Sequence, residues 1–144
     1  MPAPTLITLD SLTVGDEVAS ATYQLDRGNL VRYAGASGDF NAIHYRDDIA
    51  AQVGLPGVLA HGMLTMGLSV QPVVDWIGDP GRVRDYQVKF TRPIVVNPVA
   101  GASVSVSAKV GAIDLELQTA RVDLTVTYDE ATVLGKAQVQ LSFA

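Results

Sequence analysis

The sequence contains no cysteine. Disulfide-stabilised scaffolds, thiol nucleophiles and cysteine-ligated metal centres are therefore excluded, and a reducing compartment such as the cytoplasm is the expected location. Basic residues are also scarce, with 10 lysines and arginines against 15 aspartates and glutamates, which gives a formal net charge of −5. Proteins that bind nucleic acids usually carry a basic surface, so no nucleic-acid partner is expected.

Two further absences concern targeting and membranes. Residues 1–5 have neither the positive charge nor the apolar run of a signal peptide, so none is expected. The longest apolar stretch, 58–77, has the length of a membrane span but contains His61, Pro72 and Asp75, which a lipid-exposed helix tolerates poorly. We therefore expect no membrane association and a helix buried in protein.

The composition otherwise suits an ordinary folded domain. Of the 144 residues, 48% are apolar, which is enough to form a hydrophobic core. No linker-like composition and no internal repeat divides the chain, so residues 1–144 are predicted to form a single domain, with 1–13 as a loose lead-in.

The first third of the chain predicts short elements separated by turns, on the evidence of apolar spacing and capping residues. A glycine in a left-handed conformation is a common helix end, and Gly54 is expected to play this role. The expected elements are a strand over 17–25, a helix from the N-cap Asp26 to about Ala34, a loop over 35–44, and a helix from Asp47 or Asp48 to Ala51.

The most apolar segment follows. Apolar side chains between 63 and 76 point all round a helix rather than along one stripe, which indicates a helix surrounded by protein. Pro72 is expected to kink or end this helix. Further along, apolar and polar residues alternate, as in antiparallel strands with one face on a core. These alternating runs lie at 86–90, 103–110, 122–128 and 137–143, with hairpin turns predicted at 111–114 and 129–130.

One apolar helix followed by a run of antiparallel strands predicts an α+β fold, in which a curled antiparallel sheet wraps a long, buried central helix. Such an open sheet leaves an edge strand and part of the helix uncovered, so a dimer is expected. The sequence leaves open whether the partner is a second copy or a different chain.

The residues best suited to catalysis begin with Asp39 and His44, five positions apart. An ionised carboxylate and a neutral imidazole on one loop can share a water, one taking its proton and the other orienting it. Gly38 lets the chain turn before Asp39, and Asn41 can bond locally or steady the carboxylate. The same spacing also suits a loop that Asp39 and Asn41 merely cap, with His44 a surface or core histidine.

His61 and Gly62 begin the apolar helix. The first N–H groups of a helix lack intrahelical partners and carry partial positive charge. Because Gly62 has no side chain, a substrate carbonyl can approach its N–H, which makes an oxyanion site. In the alternative interpretation Gly62 is small for packing and His61 caps the helix. The set Asp39, His44 and His61 does not follow a metal-site spacing, so no metal is expected.

Motifs of several other enzyme classes are absent from the sequence, namely the phosphate loop, the serine nucleophile elbow and the dinucleotide fingerprint. The basic residues Arg82, Arg84, Lys89 and Arg92 gather within eleven positions. They can form a patch for phosphates, or be solvated charges at strand ends.

Together the two site stretches resemble a known motif. Residues 33–44, Tyr-Ala-Gly-Ala-Ser-Gly-Asp-Phe-Asn-Ala-Ile-His, and 59–63, Leu-Ala-His-Gly-Met, are similar to the hydratase 2 motif of the MaoC-like hot dog family. Its members include (R)-specific enoyl-CoA hydratases and 3-hydroxyacyl-thioester dehydratases. The likeness covers nearly the whole chain in element order. Residues 61–80 and 86–90 resemble especially the catalytic B subunits of mycobacterial-type (3R)-hydroxyacyl-ACP dehydratases, which work beside a non-catalytic hot dog subunit.

The resemblance implies a hot dog fold and a hydro-lyase of fatty-acid metabolism, which hydrates trans-2-enoyl thioesters or dehydrates (R)-3-hydroxyacyl thioesters. It implies no cofactor, since coenzyme A or acyl carrier protein carries the acyl group, and a homodimer or a heterodimer with another hot dog subunit. The departure from the family pattern is Ala42, where proline is usual, and this costs some loop rigidity. The implied site residues are Asp39 and His44 as the catalytic pair, Gly62 as the thioester-oxygen contact and Asn41 in support of the loop. To these we add Ser37 and His61 as supporting candidates, and the basic residues Arg82, Arg84, Lys89 and Arg92 as candidate contacts for the carrier's phosphates.

Two alternatives stand beside this interpretation. Thioesterases of the hot dog fold commonly place a carboxylate on the central helix, and the absence of Asp and Glu from 61–74 disfavours that activity. A purely structural subunit typically lacks the Asp–His pair, which this chain has. A subunit active only in a heterodimer remains open.

Overall fold

The computed structural model describes residues 6–144. The expectations that concern 1–5, the start of a lead-in and no signal peptide, lie outside the described residues. The elements are a 3-10 helix Leu9–Ser11, β1 Glu17–Leu25, α1 Arg27–Ser37, a 3-10 helix Ala42–His44, α2 Asp47–Gln52, α3 Gly62–Ile77, a 3-10 helix Pro80–Arg82, β2 Val83–Phe90, β3 Ala102–Asp114, β4 Thr119–Tyr128 and β5 Ala131–Ser142.

The five strands form one antiparallel sheet in the order β1-β3-β4-β5-β2. The alternation of side chains sets its two faces. In β3, every second residue from Ala102 to Val110 is buried, and the residues between them are wholly or partly exposed. The predicted strands and the α+β arrangement are therefore confirmed. The sheet is not closed, and β1 and β2 form its edges.

The first hairpin turn does not lie where the sequence predicted it. β3 continues through 111–114, and the chain turns at 115–118 instead. The carboxylate of Asp114 accepts a hydrogen bond from Leu117 N at 2.8 Å, an aspartate contact typical of turns. The second predicted turn is confirmed, since Asp129 and Glu130 turn the chain with φ angles of 48° and 61°.

The long helix α3 packs one face on the sheet, while its opposite face lies open in the single chain. The open sheet was expected to leave part of this helix uncovered, and the exposed face of α3 in the single chain agrees with that prediction. The helix passes through Pro72 and ends at Ile77, before the left-handed Gly78. No helix within residues 6–144 is long and apolar enough to cross a membrane. The buried residues are Thr65, Ser69, Pro72, Val73 and Ile77, and the exposed ones are Gly62, Met63, Gly67, Gln71 and Asp75.

Asp26 caps α1 as predicted. Its carboxylate accepts from Asn29 N at 2.7 Å, and the Asn29 side chain accepts from Asp26 N at 2.7 Å, which is a reciprocal capping box. The helix extends beyond Ala34 to Ser37, so part of the predicted loop is helical. Gly38, with a φ of 77°, then ends the helix immediately before Asp39.

An ion pair holds the two ends of the segment that carries Asp39 and His44. Arg27, the first residue of α1, donates to both carboxylate oxygens of Asp47 at 3.1 and 3.0 Å. These hydrogen bonds lower the pKa of Asp47. Because Asp47 begins α2, the pair fixes the starts of α1 and α2 relative to each other, and thereby the span of 38–46.

Two glycines of this region should respond oppositely to alanine. At Gly38 the left-handed φ of 77° disfavours any side chain, so Gly38→Ala is expected to destabilise the protein by about 1–2 kcal/mol. Gly35 is helical with no atom within 4 Å of an added Cβ, so Gly35→Ala should stabilise it by roughly 0.5–1 kcal/mol. Urea unfolding measures both, and equal shifts would contradict a left-handed helix end at 38.

Candidate active site

His44 is held in one tautomer by the main chain. Its side chain is 10% exposed, and its Nδ1 lies 2.7 Å from the carbonyl oxygen of Leu59. Since a carbonyl only accepts, Nδ1 carries the proton, and Nε2 of the neutral ring keeps a free lone pair. This Nε2 lies 3.9 Å from Oδ2 of Asp39. The first predicted pair is therefore brought together, with the basic nitrogen of His44 facing the carboxylate.

Asp39 sits at the surface beside the other two predicted loop residues. Its side chain is 50% exposed, and its Oδ1 accepts from Asn41 N at 3.2 Å. Its own N donates to Ser37 Oγ at 3.1 Å. The Asn41 side chain accepts from Ile43 N and so begins the 3-10 helix that carries His44. Ser37 and Asn41 thus shape the turn that points Oδ2 at His44.

The gap between the two side chains fits a water molecule. A distance of 3.9 Å between Nε2 and Oδ2 is too long for a direct hydrogen bond. One water about 2.8 Å from each atom would span it, with an angle of about 90° at the water oxygen. The pair can therefore hold and polarise one water, which the capped-loop interpretation does not require.

Gly62 is the first residue of α3 and lines the same cavity as His44. The first hydrogen bond of the helix runs from Thr65 N to His61 O at 3.2 Å, so the N–H of Gly62 precedes the intrahelical ladder. The cavity has a volume of about 320 Å³. Its lining is mostly apolar and comprises His44, Leu59, Ala60, Gly62, Thr65, Phe90, Thr91, Arg92, Pro93, Ile94, Val133 and Leu134.

The packing interpretation of Gly62 also has structural support. A Cβ at this position would lie 3.0 Å from Cε1 of Phe90, closer than side chains normally pack. Gly62 is also exposed at the cavity, and its N–H makes no hydrogen bond among the described residues. The two roles considered for Gly62, close packing and access to its N–H, are compatible.

His61 lies behind the pair rather than in the cavity. It is 1% exposed, and its Nε2 lies 3.1 Å from the carbonyl oxygen of Asp39, to which it donates. Its ring stacks on that of His44 at a centroid distance of 3.8 Å and an angle of 22°, and the Tyr33 ring meets it edge-on at 4.8 Å. His61 occupies the N-cap position of α3, as the capping interpretation has it, but its side chain makes no capping hydrogen bond.

A metal could draw on three side chains here, since Asp39, His44 and His61 offer ligand atoms within 4.8 Å of one another. The stacked rings, however, direct their lone pairs along nearly parallel planes. A bound ion needs lone pairs that converge on one point about 2.1 Å from each nitrogen. One nitrogen of each ring already faces a backbone carbonyl. Joint coordination of an ion by both histidines would therefore require at least one ring to reorient.

The four predicted phosphate contacts do not form one patch. Arg82, before β2, donates to Ile7 O at 2.7 Å and lies over the Phe143 ring at 5.1 Å. Arg84 and Lys89 are exposed along β2, whose eight residues span about 26 Å. Arg92, beyond the end of β2, is the member of the four that lines the cavity.

Two residues that contribute to the site were not predicted from the sequence. Leu59 acts through its backbone carbonyl, which any residue supplies, so its side chain gives no signal. Phe90 was expected on the core face of its strand, yet it is 55% exposed and covers Gly62 at the cavity. The signal that was available for Phe90 is an aromatic residue at the end of an alternating run.

One protein-family model matches a part of the chain that includes every candidate site residue. The family model described as MaoC like domain matches residues 11–130. The 3-hydroxyacyl-thioester dehydratase X of Mycobacterium tuberculosis is 31% identical over 86 residues, which cover 60% of this chain and 30% of that protein. This chain therefore spans about a third of its curated relative.

Solved structures show the same fold. A MaoC-like dehydratase superposes with a TM-score of 0.92 at 38% identity, over 98% of this chain and 43% of that one. The R-hydratase of Pseudomonas aeruginosa in its unliganded form gives a TM-score of 0.78 at 25% identity, over 96% of this chain and 88% of that one. These neighbours confirm the hot dog fold.

The burial of His61 makes stability depend on pH. Burial lowers its pKa below the ordinary 6.5, His44 lowers it further, and Asp39 partly opposes the shift, while Tyr33 also contacts the ring. Below pH 6.5 the unfolded chain therefore binds a proton that the folded chain does not. The free energy of unfolding should therefore decrease as the pH is lowered, by at most about 1.4 kcal/mol per pH unit. Urea unfolding between pH 7.5 and 5.5 measures this slope.

The variant that tests this origin of the slope is His61→Gln. We expect His61→Gln to flatten the slope, because the buried titrating group is gone. Parallel slopes for His61→Gln and the wild type would contradict a buried, neutral His61.

Proposed function

Because the chain belongs to the MaoC-like domain family, we propose that it adds water to trans-2-enoyl thioesters and, in reverse, dehydrates (R)-3-hydroxyacyl thioesters. The observation that carries the proposal is the 3.9 Å gap between Asp39 Oδ2 and His44 Nε2, which lies beside the first turn of α3. The mycobacterial 3-hydroxyacyl-thioester dehydratase and the R-hydratase support this reaction class and its stereochemistry.

In the proposed reaction, Asp39 and His44 hold a water above C3 of the enoyl group. Nε2 of His44 takes one proton from this water as its oxygen bonds to C3. The electron pair of the C2–C3 double bond moves towards the thioester carbonyl and forms an enolate. The imidazolium of His44 then returns the proton to C2. Water is thus added across the double bond, and both side chains end in their starting states.

The enolate oxygen is placed at the N–H of Gly62. Its negative charge would be met by an unpaired N–H at the positive end of a helix of 16 residues. The first carboxylate in α3 is Asp75, near its far end, so no negative side chain of the helix opposes this charge. That arrangement favours a hydratase over a thioesterase that relies on a helix carboxylate.

The proposal includes no cofactor and no metal. Addition of water to an α,β-unsaturated thioester needs a base, a proton donor and an oxyanion contact, and the chain's own groups can supply all three. The acyl group would arrive on coenzyme A or acyl carrier protein. We assign Arg92, at the cavity, to the carrier's phosphate, and we place the reaction in the cytoplasm, which suits a chain without cysteine.

A second hot dog subunit is part of the proposal, as a copy of this chain or a different one. Phe40 follows Asp39, Met63 follows Gly62 and Phe90 lines the cavity, and these residues are 63%, 59% and 55% exposed. Large apolar side chains grouped in this way are typical of a surface that another protein covers. The edge strand β2 offers its free side next to them.

The reaction is tested by the loss of conjugated-thioester absorbance with crotonyl-CoA and a longer enoyl-CoA. Asp39→Asn and His44→Gln should each lower kcat/KM about 100-fold or more, because each removes one of the two groups that handle the water. Asp10→Asn, an exposed carboxylate remote in sequence, is the matched control and should keep wild-type activity.

The assay is run on the chain alone and mixed with any hot dog chain encoded beside it. No hydration under either condition would overturn the proposed function. Release of free coenzyme A without hydration would identify the thioesterase instead. Wild-type rates in both site variants would show that the site is misplaced.

The carrier contact is tested with Arg92→Ala and the matched variant Arg84→Ala. We expect Arg92→Ala to raise KM for crotonyl-CoA roughly fivefold, about 1 kcal/mol, because a phosphate loses its cation. KM for crotonyl-pantetheine, which has no phosphate, should not change. Arg84→Ala should leave both values unchanged. An equal rise for both substrates would contradict a phosphate contact at Arg92.

A further inference from the structure

We propose that His61 is a positioning residue, which fixes the Asp39 main chain and the His44 ring relative to each other from behind the site. The inference rests on the proposed function, because the geometry it protects is that of the water-holding pair. His61 is one of the two histidines in the chain, and none of the steps above uses it.

One side chain touches both partners of the pair. Nε2 of His61 donates to the carbonyl oxygen of Asp39 at 3.1 Å, and its ring lies face to face with that of His44 at 3.8 Å. A change in the position of His61 would therefore move Asp39 and His44 together. A residue that served only to fill the core would not need to contact Asp39 or His44.

Asp39 needs this support because little else anchors it. Its side chain is half exposed, and its two hydrogen-bonding neighbours, Ser37 at the end of α1 and Asn41 in the turn, are exposed as well. The bond from His61 ties this turn to the start of α3, a buried and more rigid element. The gap of 3.9 Å to His44 is thus set partly from outside the loop.

His44 is fixed at one nitrogen by the Leu59 carbonyl, but a single hydrogen bond leaves its ring free to tilt. The stacked His61 ring, itself backed by the edge of Tyr33, restricts that tilt. Nε2 of His44 consequently keeps its direction towards Asp39.

The second nitrogen of His61 shows that the ring is neutral. Nδ1 is buried without a hydrogen-bond partner among the described residues. A proton there would be buried and unpaired, so the ring carries its proton on Nε2 alone. A neutral ring tolerates positive charge on the stacked His44 when that residue holds the water's proton. A buried unpaired nitrogen destabilises a fold, and the two contacts to the catalytic pair account for its presence here.

Two substitutions separate the two contacts. His61→Phe keeps a stacking ring, removes the unpaired Nδ1 and loses the donor to Asp39. His61→Gln keeps an N–H donor at a similar reach and loses the ring. We expect His61→Phe to be as stable as the wild type or more so, yet to lose about 10- to 100-fold in kcat with KM unchanged within about twofold. His61→Gln should recover part of this loss.

The matched control is Ser69→Ala. Ser69 is fully buried two turns along the same face of α3, where its hydroxyl donates to Thr65 O at 2.7 Å, and it does not touch the pair. This variant should lower the melting temperature without changing kcat. A His61→Phe enzyme with wild-type kcat, or losses of kcat that follow melting temperature across all three variants, would overturn the proposal.

Nitrogen-15 spectra of histidine-labelled protein test the geometry without any assay. We expect one ring protonated on Nδ1, His44, and one on Nε2, His61, assigned from the single-histidine variant His61→Gln. A His61 protonated on Nδ1 would overturn the proposal even if His61→Phe failed to fold. An inactive wild type with the expected tautomers would instead count against the proposed function alone.

Discussion

The candidate site depends on a short extended segment, residues 58–60, whose backbone bonds in several directions. Leu59 N donates to Ile43 O at 3.1 Å, and its carbonyl accepts from His44 at 2.7 Å, so both sides of this residue hold the 3-10 helix that bears the imidazole. Ala60 N and Val58 O bond to 94–96 at 2.9 Å each. The next two residues are His61 and the first of α3. Loop, helix start and cavity wall are therefore aligned by one stretch of main chain.

Sequence reasoning succeeded where local chemistry decides the structure. The bounds of β1 and the capping box at Asp26 follow from residues close in the chain, and alternation identified the other strands. Predictions from the sequence were wrong where contacts between distant parts of the chain determine the structure. The turn after β3 shifted to 115–118 because the pairing of β3 with β4 extends to Asp114 and Thr119. An open face of α3 was expected, but its position was not predictable because apolar residues lie all round this helix.

The residues of the candidate site were easier to predict from the sequence than the geometry in which they meet. The spacing of Asp39 and His44 suggested a shared water, and Gly62 suggested an open N–H, because these inferences need residue types alone. What spacing cannot supply is the direction of each ring nitrogen. That direction is set by carbonyls of Leu59 and Asp39, and a carbonyl leaves no trace in the sequence. The separation of Arg82 from Arg92 likewise follows from the length of β2.

Under the proposed function, the distribution of exposure across the site gives a covering subunit a physical role. His44 and His61 are shielded by their own chain, whereas Asp39 is half exposed and Phe40, Met63 and Phe90 face outwards beside it. An oxyanion contact is strong only where water is excluded, because bulk water competes for the charge. The proposed enolate at Gly62 would therefore be stabilised weakly in an open chain. A covering subunit would raise the rate by excluding water from this wall.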